Sequence, residues 1–143
     1  MFEVQVIYKL GQFALYGRID VLDHNIIYEL KCVKELNDVN YIQLALYAFI
    51  YEKLYPINDI INLNKYIYFK VNGLIKFGKI IKMHNDLLNI KCKEDGIIHI
   101  IKKANIKYVY YLYNILKDKK VELTFNPNSL NEIFNMIYKI KME

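Results

Sequence analysis

The sequence is poor in the residues that build several common kinds of functional site. It has two cysteines, one serine, one threonine, one arginine and no tryptophan among its 143 residues. Two cysteines, Cys32 and Cys92, are too few for a disulfide framework or a four-thiolate metal site, and we expect both to be packed thiols. With Ser129 and Thr124 as the only aliphatic hydroxyls, a serine or threonine nucleophile is not expected.

Long apolar segments are absent as well. The longest apolar run covers residues 44–51, far short of the ~20 residues that cross a bilayer. The first residues, Met1 to Val4, lack the basic and apolar regions of a signal peptide. The three histidines lie far apart, and His99 is expected to be an ordinary strand residue rather than a metal ligand. We therefore expect an intracellular protein (cytoplasm, nucleus or viral factory) that is neither secreted nor bound to a membrane.

Four residue types dominate what is present. Isoleucine, lysine, asparagine and tyrosine make up half of the chain, the apolar fraction is 55% and the net charge is +5. Such a chain can bury a core and suits one domain of modest size. Many lysines alternate with apolar residues between Lys65 and Lys107. A basic strand face of this kind favours contact with phosphates, although the solvated face of a lysine-rich protein gives the same pattern.

The hydrophobic pattern predicts an α/β fold with a mixed central sheet. A helix is expected from residue 38 to 54, with Asn37 or Asp38 as its N-cap and its end before Pro56. A turn at Asp23-His24 divides two of the strands. A second helix is expected at 129–141, behind Pro127. The predicted strands are 2–10, 12–22, 25–33, 66–71, 74–83, 87–92, 97–102, 106–113 and 120–125.

Asp20, Glu29 and Lys31 form the first candidate site. If the hairpin closes at Asp23-His24, strand alternation brings the three side chains out on one face, with the two carboxylates about 5–8 Å apart. Carboxylates so close repel each other, and a divalent cation such as Mg²⁺ relieves the repulsion. Lys31 can then stabilise developing phosphorane charge and help to deprotonate the attacking water. An acid and a lysine on the polar face of a strand are also common without any function.

Gln43 and Tyr47 extend this pattern onto the first helix. They are four residues apart, so both side chains project from one helix face, and this face could turn toward the metal cleft. A tyrosine at helical spacing is more often a packing residue, and that alternative stays open here.

The ordered set resembles a known nuclease superfamily. Gly17-x-x-Asp20, then Glu29-x-Lys31, then Gln43-x-x-x-Tyr47 resembles the PD-(D/E)XK superfamily, in its RecB-like exonuclease branch. Residues 26–33 are also similar to the lambda-exonuclease-type members. Residues 111–115, followed by 121–123 and a helix, resemble the strand pair and helix that close the core in giant-virus helicase–nuclease proteins. The resemblance covers roughly residues 2–55 and 106–142.

This resemblance implies a restriction-endonuclease-like mixed sheet with flanking helices. Residues 1–56 and 106–143 would form the nuclease core, and 57–105 an inserted β-rich module, either a small barrel or a meander. The implied function is metal-dependent cleavage of DNA in recombination, repair or replication, with a virus as one source.

The resemblance also implies a role for each site residue. Asp20, Glu29 and the backbone carbonyl of Leu30 would bind Mg²⁺ or Mn²⁺, Lys31 would be the catalytic lysine, and Gln43 with Tyr47 would lie near the substrate. Phosphates would be held by Arg18, Lys76, Lys79, Lys82, Lys102 and Lys103.

Two alternatives remain beside the nuclease. The helix that precedes the first strand in the superfamily has no counterpart here, which favours a nuclease-fold protein that binds DNA or a protein partner without hydrolysis. The module at 66–105 could instead make the protein a nucleic-acid or protein adaptor. No Walker-type phosphate loop occurs in the sequence, so a helicase motor would be a separate chain. A helicase or another replication or repair protein is therefore an expected partner, and a homo-oligomer is left open.

Overall fold

A computed structural model describes residues 1–125 and Glu132, with two helices, nine strands and a short 3-10 turn. The helices are α1 (Asp38–Leu54) and α2 (Ile57–Ile60), and the 3-10 turn covers Lys103–Asn105. The strands are β1 (Phe2–Leu10), β2 (Phe13–Asp23), β3 (Ile26–Lys31), β4 (Tyr66–Val71), β5 (Leu74–His84), β6 (Leu87–Cys92), β7 (Ile98–Lys102), β8 (Val109–Asn114) and β9 (Lys119–Leu123).

The strands form two sheets that belong to two compact units. The first unit contains residues 1–22, 27–54 and 109–125, and its five-stranded sheet has the order β1-β2-β3-β8-β9. The second unit contains residues 23–26 and 55–108, and its four-stranded sheet has the order β4-β5-β6-β7. The coarse expectation of an α/β fold is confirmed.

The five-stranded sheet is mixed. β1 pairs antiparallel with β2, and β8 pairs antiparallel with β9. The carboxyl ends of the neighbouring strands β3 and β8 lie side by side, because the Ile115 N–H donates to the Lys31 carbonyl at 2.7 Å. Neighbouring strands whose carboxyl ends meet run parallel, and a parallel pair needs a long connection, which here includes α1. β3 is thus the central strand of the sheet.

Reciprocal asparagine caps fix the start of α1. The Asn40 N–H donates to Asn37 Oδ1 at 3.2 Å, and the Asn37 N–H donates to Asn40 Oδ1 at 3.0 Å. The two side chains therefore satisfy backbone donors that the first turn leaves unpaired. The helix ends at Leu54, two residues before Pro56, since proline disfavours helical conformation at the residue before it.

The second unit is an antiparallel meander over its own apolar core. Strands β4 to β7 pair in sequence order, with a β-bulge in β5 between Ile80 and Lys82. Asn25, which is fully buried, accepts from the Tyr68 N–H and donates to the carbonyls of Tyr68 and Lys107. The meander buries Ile61, Ile67, Phe69, Ile80, Leu88, Ile90, Cys92 and Ile106.

Some predicted boundaries were wrong by a few residues. The turn before β3 is His24-Asn25 rather than Asp23-His24, and His24 has a φ of 52°. β8 begins at Val109 instead of residue 106, because residues 106–108 follow the 3-10 turn without joining the sheet. The helix predicted at 129–141 lies outside the described residues, apart from helical Glu132. No helix in the described part of the chain is long and apolar enough to span a membrane.

Candidate active site

Asp20 and Glu29 lie next to each other on the neighbouring strands β2 and β3. The Leu30 N–H donates to Asp20 Oδ2 at 2.9 Å, which holds the Asp20 carboxylate against β3. Leu30 thus contacts the site through its N–H group, and the metal-binding role of its carbonyl stays a prediction. The turn at His24-Asn25 has two residues, as the predicted turn did, so the expected side-chain alternation is preserved.

Glu29 is an uncommonly buried acid. Its side chain is only 5% exposed, and carboxylates are almost never buried unless they are paired. Burial raises the pKa of Glu29 above its ordinary value, and the hydrogen bond from Lys31 offsets this effect only in part. The neighbouring charge of Asp20 raises the pKa further. Within the described chain, Glu29 Oε2 is buried without any hydrogen-bond partner.

Lys31 is held from two sides. Its Nζ lies 3.0 Å from Glu29 Oε1 and donates to Gln43 Oε1 at 2.7 Å. The Gln43 amide in turn donates to the Tyr47 hydroxyl at 2.9 Å. The structure therefore joins the strand residues and the helix residues of the predicted motif in one chain of hydrogen bonds, which fixes the lysine ammonium in place.

Two residues that support the site were not singled out as site residues by sequence. A Cβ atom on Gly17 would lie 2.8 Å from Tyr47 Cδ1 and 3.0 Å from Val6 Cγ2, so the Tyr47 ring requires glycine in β2. Buried Asn114 donates to the Val33 carbonyl at 2.8 Å and fixes the chain just after β3. The only indication in the sequence that Gly17 matters is its place as the first residue of the motif. Nothing in the sequence distinguishes Asn114 from the fourteen other asparagines.

Gly17→Ala tests the packing of β2 against Tyr47. The added methyl group must displace the tyrosine ring, so we expect the free energy of unfolding to fall by about 1–3 kcal/mol, the usual cost of overpacking. The measurement is chemical denaturation of both single variants and the double variant Gly17→Ala/Tyr47→Ala. Removal of the ring should relieve most of the cost of the methyl group. If the two effects simply add, the clash with the ring is not the source of the cost.

The donor atoms of this site fit a hard divalent cation. Mg²⁺ prefers oxygen ligands and is commonly held by one or two carboxylates. Asp20 and Glu29 supply two carboxylates, and Glu29 Oε2 is a buried oxygen whose hydrogen-bonding capacity the described residues leave unused. Two neighbouring carboxylates cost free energy through repulsion and desolvation, and a bound cation would relieve both.

Three of the predicted phosphate-binding lysines share one face of the four-stranded sheet. Lys79 and Lys82 on β5 and Lys102 on β7 lie on the face opposite the apolar core, as does Lys91 on β6. Lys79 is paired directly with Lys91 across the strands, and like charges in that position destabilise a sheet. Among the described residues, no carboxylate forms an ion pair with any of these four lysines. We call Lys79, Lys82, Lys91 and Lys102 the basic sheet face.

Aromatic rings lie beside the basic sheet face. Tyr66 is paired with Lys79 across the strands, and its ring stacks on Phe77 with the centroids 5.3 Å apart. The ring of Tyr68 also packs on Phe77, with the centroids 4.6 Å apart. Tyr66 is 42% exposed, so part of its ring is open to solvent at the edge strand β4.

The remaining predicted phosphate-binding residues lie elsewhere. Lys76 lies on the other face of β5, where its Nζ is 3.4 Å from Asp95 Oδ2. Lys103 belongs to the 3-10 turn, and Arg18 on β2 of the first unit lies 3.7 Å from Glu3. The structure therefore separates Lys76 from Lys79 and Lys82, which lie on the opposite face of β5. Cys32 is exposed, contrary to the expectation of a packed thiol, whereas Cys92 is buried as expected.

Comparison of the chain with protein-family models, with curated proteins and with solved structures gives no match. The geometry of the site and the pattern of its residues are therefore the grounds on which a function is proposed.

Proposed function

We propose that this protein is a metal-dependent DNA nuclease with a RecB-like PD-(D/E)XK core. The observation that carries the proposal is the pair of adjacent carboxylates with a lysine whose ammonium is fixed by both strand and helix. Asp20, Glu29, Lys31, Gln43 and Tyr47 occur in the order of the superfamily motif, and hydrogen bonds or electrostatic contacts link them in the folded chain.

Each side chain has a distinct task in this proposal. Asp20 and Glu29 would hold Mg²⁺ or Mn²⁺, which when bound supplies charge for the phosphate oxygens and lowers the pKa of a water. Lys31 places a positive charge where charge develops on the phosphate during attack. Gln43 holds Lys31 in one position and Tyr47 holds Gln43, so the ammonium does not have to reorganise during the reaction.

The second unit offers a surface for the DNA strand. The repulsion between lysines on neighbouring strands is relieved when phosphates bind between them. Exposed rings beside lysines are typical of surfaces that bind single strands, because every base can stack on an aromatic ring. We therefore propose that the basic sheet face and Tyr66 bind single-stranded DNA.

The double variant Lys79→Gln/Lys91→Gln tests this binding surface. We expect weaker binding of a single-stranded oligonucleotide and a salt dependence whose slope falls by about 0.7 for each lysine–phosphate interaction that is removed. Fluorescence anisotropy over a series of salt concentrations measures both quantities. Lys65→Gln/Lys107→Gln is the matched control, because it removes the same charge from positions outside strands β4 to β7. Equal weakening in the two variants would show that only net charge matters.

The rival function is binding of DNA without hydrolysis. The experiment that separates the two uses end-labelled single- and double-stranded DNA with wild-type protein and Mg²⁺ or Mn²⁺. A nuclease gives shortened products whose labels report the end preference. A binding protein gives retarded complexes in a gel and intact DNA, which would overturn the proposal for the chain on its own.

A further inference from the structure

The end of the β6–β7 hairpin gathers three candidate metal ligands in the second unit. Cys92 is the last residue of β6, Asp95 lies in the turn, and His99 is the second residue of β7. One ligand atom from each residue lies within 4.8 Å of the other two. Their spacing, Cys-x₂-Asp-x₃-His, is short enough that one tight turn supplies the whole set.

Backbone hydrogen bonds shape this turn. The Cys92 N–H donates to the Ile97 carbonyl, and the Gly96 N–H donates to the Cys92 carbonyl, both at 2.9 Å. Gly96 has a φ of +71°, a conformation that glycine adopts readily. The Ile97 N–H donates to Asp95 Oδ1 at 2.8 Å, which turns the carboxylate back toward the strands.

The buried His99 nitrogen is a second observation that points to a ligand at this turn. Nε2 is buried and makes no hydrogen bond to any described residue, and it lies 4.0 Å from Asp95 Oδ2. Buried polar atoms are nearly always satisfied, so such an atom calls for an explanation. The His99 ring itself packs on Phe69 with the centroids 5.5 Å apart, which limits its rotation.

The donor types select the ion. Thiolate and imidazole suit Zn²⁺ and related ions and are poor ligands for Mg²⁺. In a tetrahedral zinc site the ligand atoms lie about 3.5 Å apart, so the three atoms need to approach by only about 1 Å. The Asp95 carboxylate adds an oxygen donor to the thiol and the imidazole.

We propose that Cys92, Asp95 and His99 form a binding site for a divalent transition metal, with Zn²⁺ as the expected ion. Binding releases the Cys92 thiol proton to solvent, and water completes the coordination. The ion would tie the β6–β7 turn together and stabilise the second unit. This site differs from the Asp20–Glu29 pair in unit and in donor type, and it does not depend on the proposed nuclease activity.

Titration of the metal-free full chain with Co²⁺ tests the site. We expect the absorption band of a thiolate–cobalt bond, saturation at a single equivalent, loss of the band when Zn²⁺ is added, and a higher melting temperature with Zn²⁺. Absence of the band in wild-type protein would overturn the proposal.

Variants locate the ligands. Removal of a group that only hydrogen-bonds a metal ligand lowers metal affinity by about 10–100-fold. Because His99→Gln and Cys92→Ser each remove a ligand itself, we expect each to lower metal affinity by more than this. Because Cys92 is buried, His99→Gln decides the matter if Cys92→Ser fails to fold. Unchanged affinity in folded His99→Gln would overturn the proposal. Cys32→Ser and His84→Gln are the matched controls, and loss of the band in Cys32→Ser would place the metal elsewhere.

Removal of Lys76 should increase metal affinity, whereas removal of a ligand should lower it. Its ammonium lies 3.4 Å from Asp95 Oδ2, so a bound cation must displace or repel it. Lys76→Gln should therefore bind Co²⁺ severalfold more tightly than wild-type protein. Weaker binding in this variant would contradict Asp95 as a ligand.

Discussion

Lys31→Ala should lower the rate of metal-dependent DNA cleavage by about 100- to 1000-fold, the usual cost of removing one group that stabilises transition-state charge. Among the described residues, Lys31 carries the ammonium that is fixed beside the carboxylate pair, through Glu29 and Gln43. Affinity for DNA should change little, because the variant loses an interaction that matters most in the transition state. The measurement is single-turnover cleavage of end-labelled DNA, with binding determined in parallel.

Lys34→Ala is the matched control for this prediction. Lys34 is exposed and only three residues further along the chain, so its removal changes the net charge equally without touching the site. Cleavage by Lys34→Ala should equal that of wild-type protein. If Lys31→Ala cleaves as fast as Lys34→Ala, Lys31 has no catalytic role.

Glu29→Gln should abolish cleavage and yet raise the melting temperature of the metal-free protein, by about 2–4 °C. The wild-type chain holds a carboxyl group in a buried position beside Asp20, where burial and the Asp20 charge disfavour its ionised form and raise its pKa. The glutamine amide carries no charge, and it can donate a hydrogen bond to the remaining carboxylate. A gain in stability together with a loss of activity is typical of a residue kept for function rather than for folding.

The pH dependence of stability gives the same site a second signature. In the unfolded chain the pKa of the Glu29 carboxyl group lies near 4.5, and in the folded chain this pKa is higher. In a chelator, wild-type stability should therefore fall as the pH rises from about 4.5 through the folded pKa, and Glu29→Gln should not share this loss. Exposed Glu35→Gln is the control. A lower melting temperature for Glu29→Gln at neutral pH would show that the Glu29 carboxylate stabilises the fold.

Local signals in the sequence were enough to predict the first helix and the proximity of Asp20, Glu29 and Lys31. Asn37 and Pro56 delimit the helix by capping and by backbone restriction, both of which act within a few residues. The predicted turn before β3, Asp23-His24, lies one residue ahead of the observed turn, His24-Asn25. The side chains of Asp20 and Glu29 still fell on the expected sides, because strand alternation depends only on parity.

The features of the site that could not be predicted from the sequence arise from tertiary contacts. Strand alternation places Glu29 on a face without telling how deeply that face is buried in a five-stranded sheet. The need for Gly17 arises from the Tyr47 ring, thirty residues later. Lys79 and Lys82 are three residues apart, which puts them on opposite faces of a regular strand. They share a face because the β-bulge between Ile80 and Lys82 shifts the alternation by one residue.

The most direct test of the proposed nuclease site joins metal binding and cleavage in one sample. Wild-type protein is titrated with Mn²⁺, with free Mn²⁺ followed by electron paramagnetic resonance and cleavage of end-labelled DNA followed at each concentration. Asp20→Asn, prepared identically, is the comparison. We expect cleavage to rise in step with Mn²⁺ occupancy and Asp20→Asn to lose both. Cleavage that persists in a chelator, or equal cleavage by the two proteins, would contradict a metal-dependent nuclease site at Asp20 and Glu29.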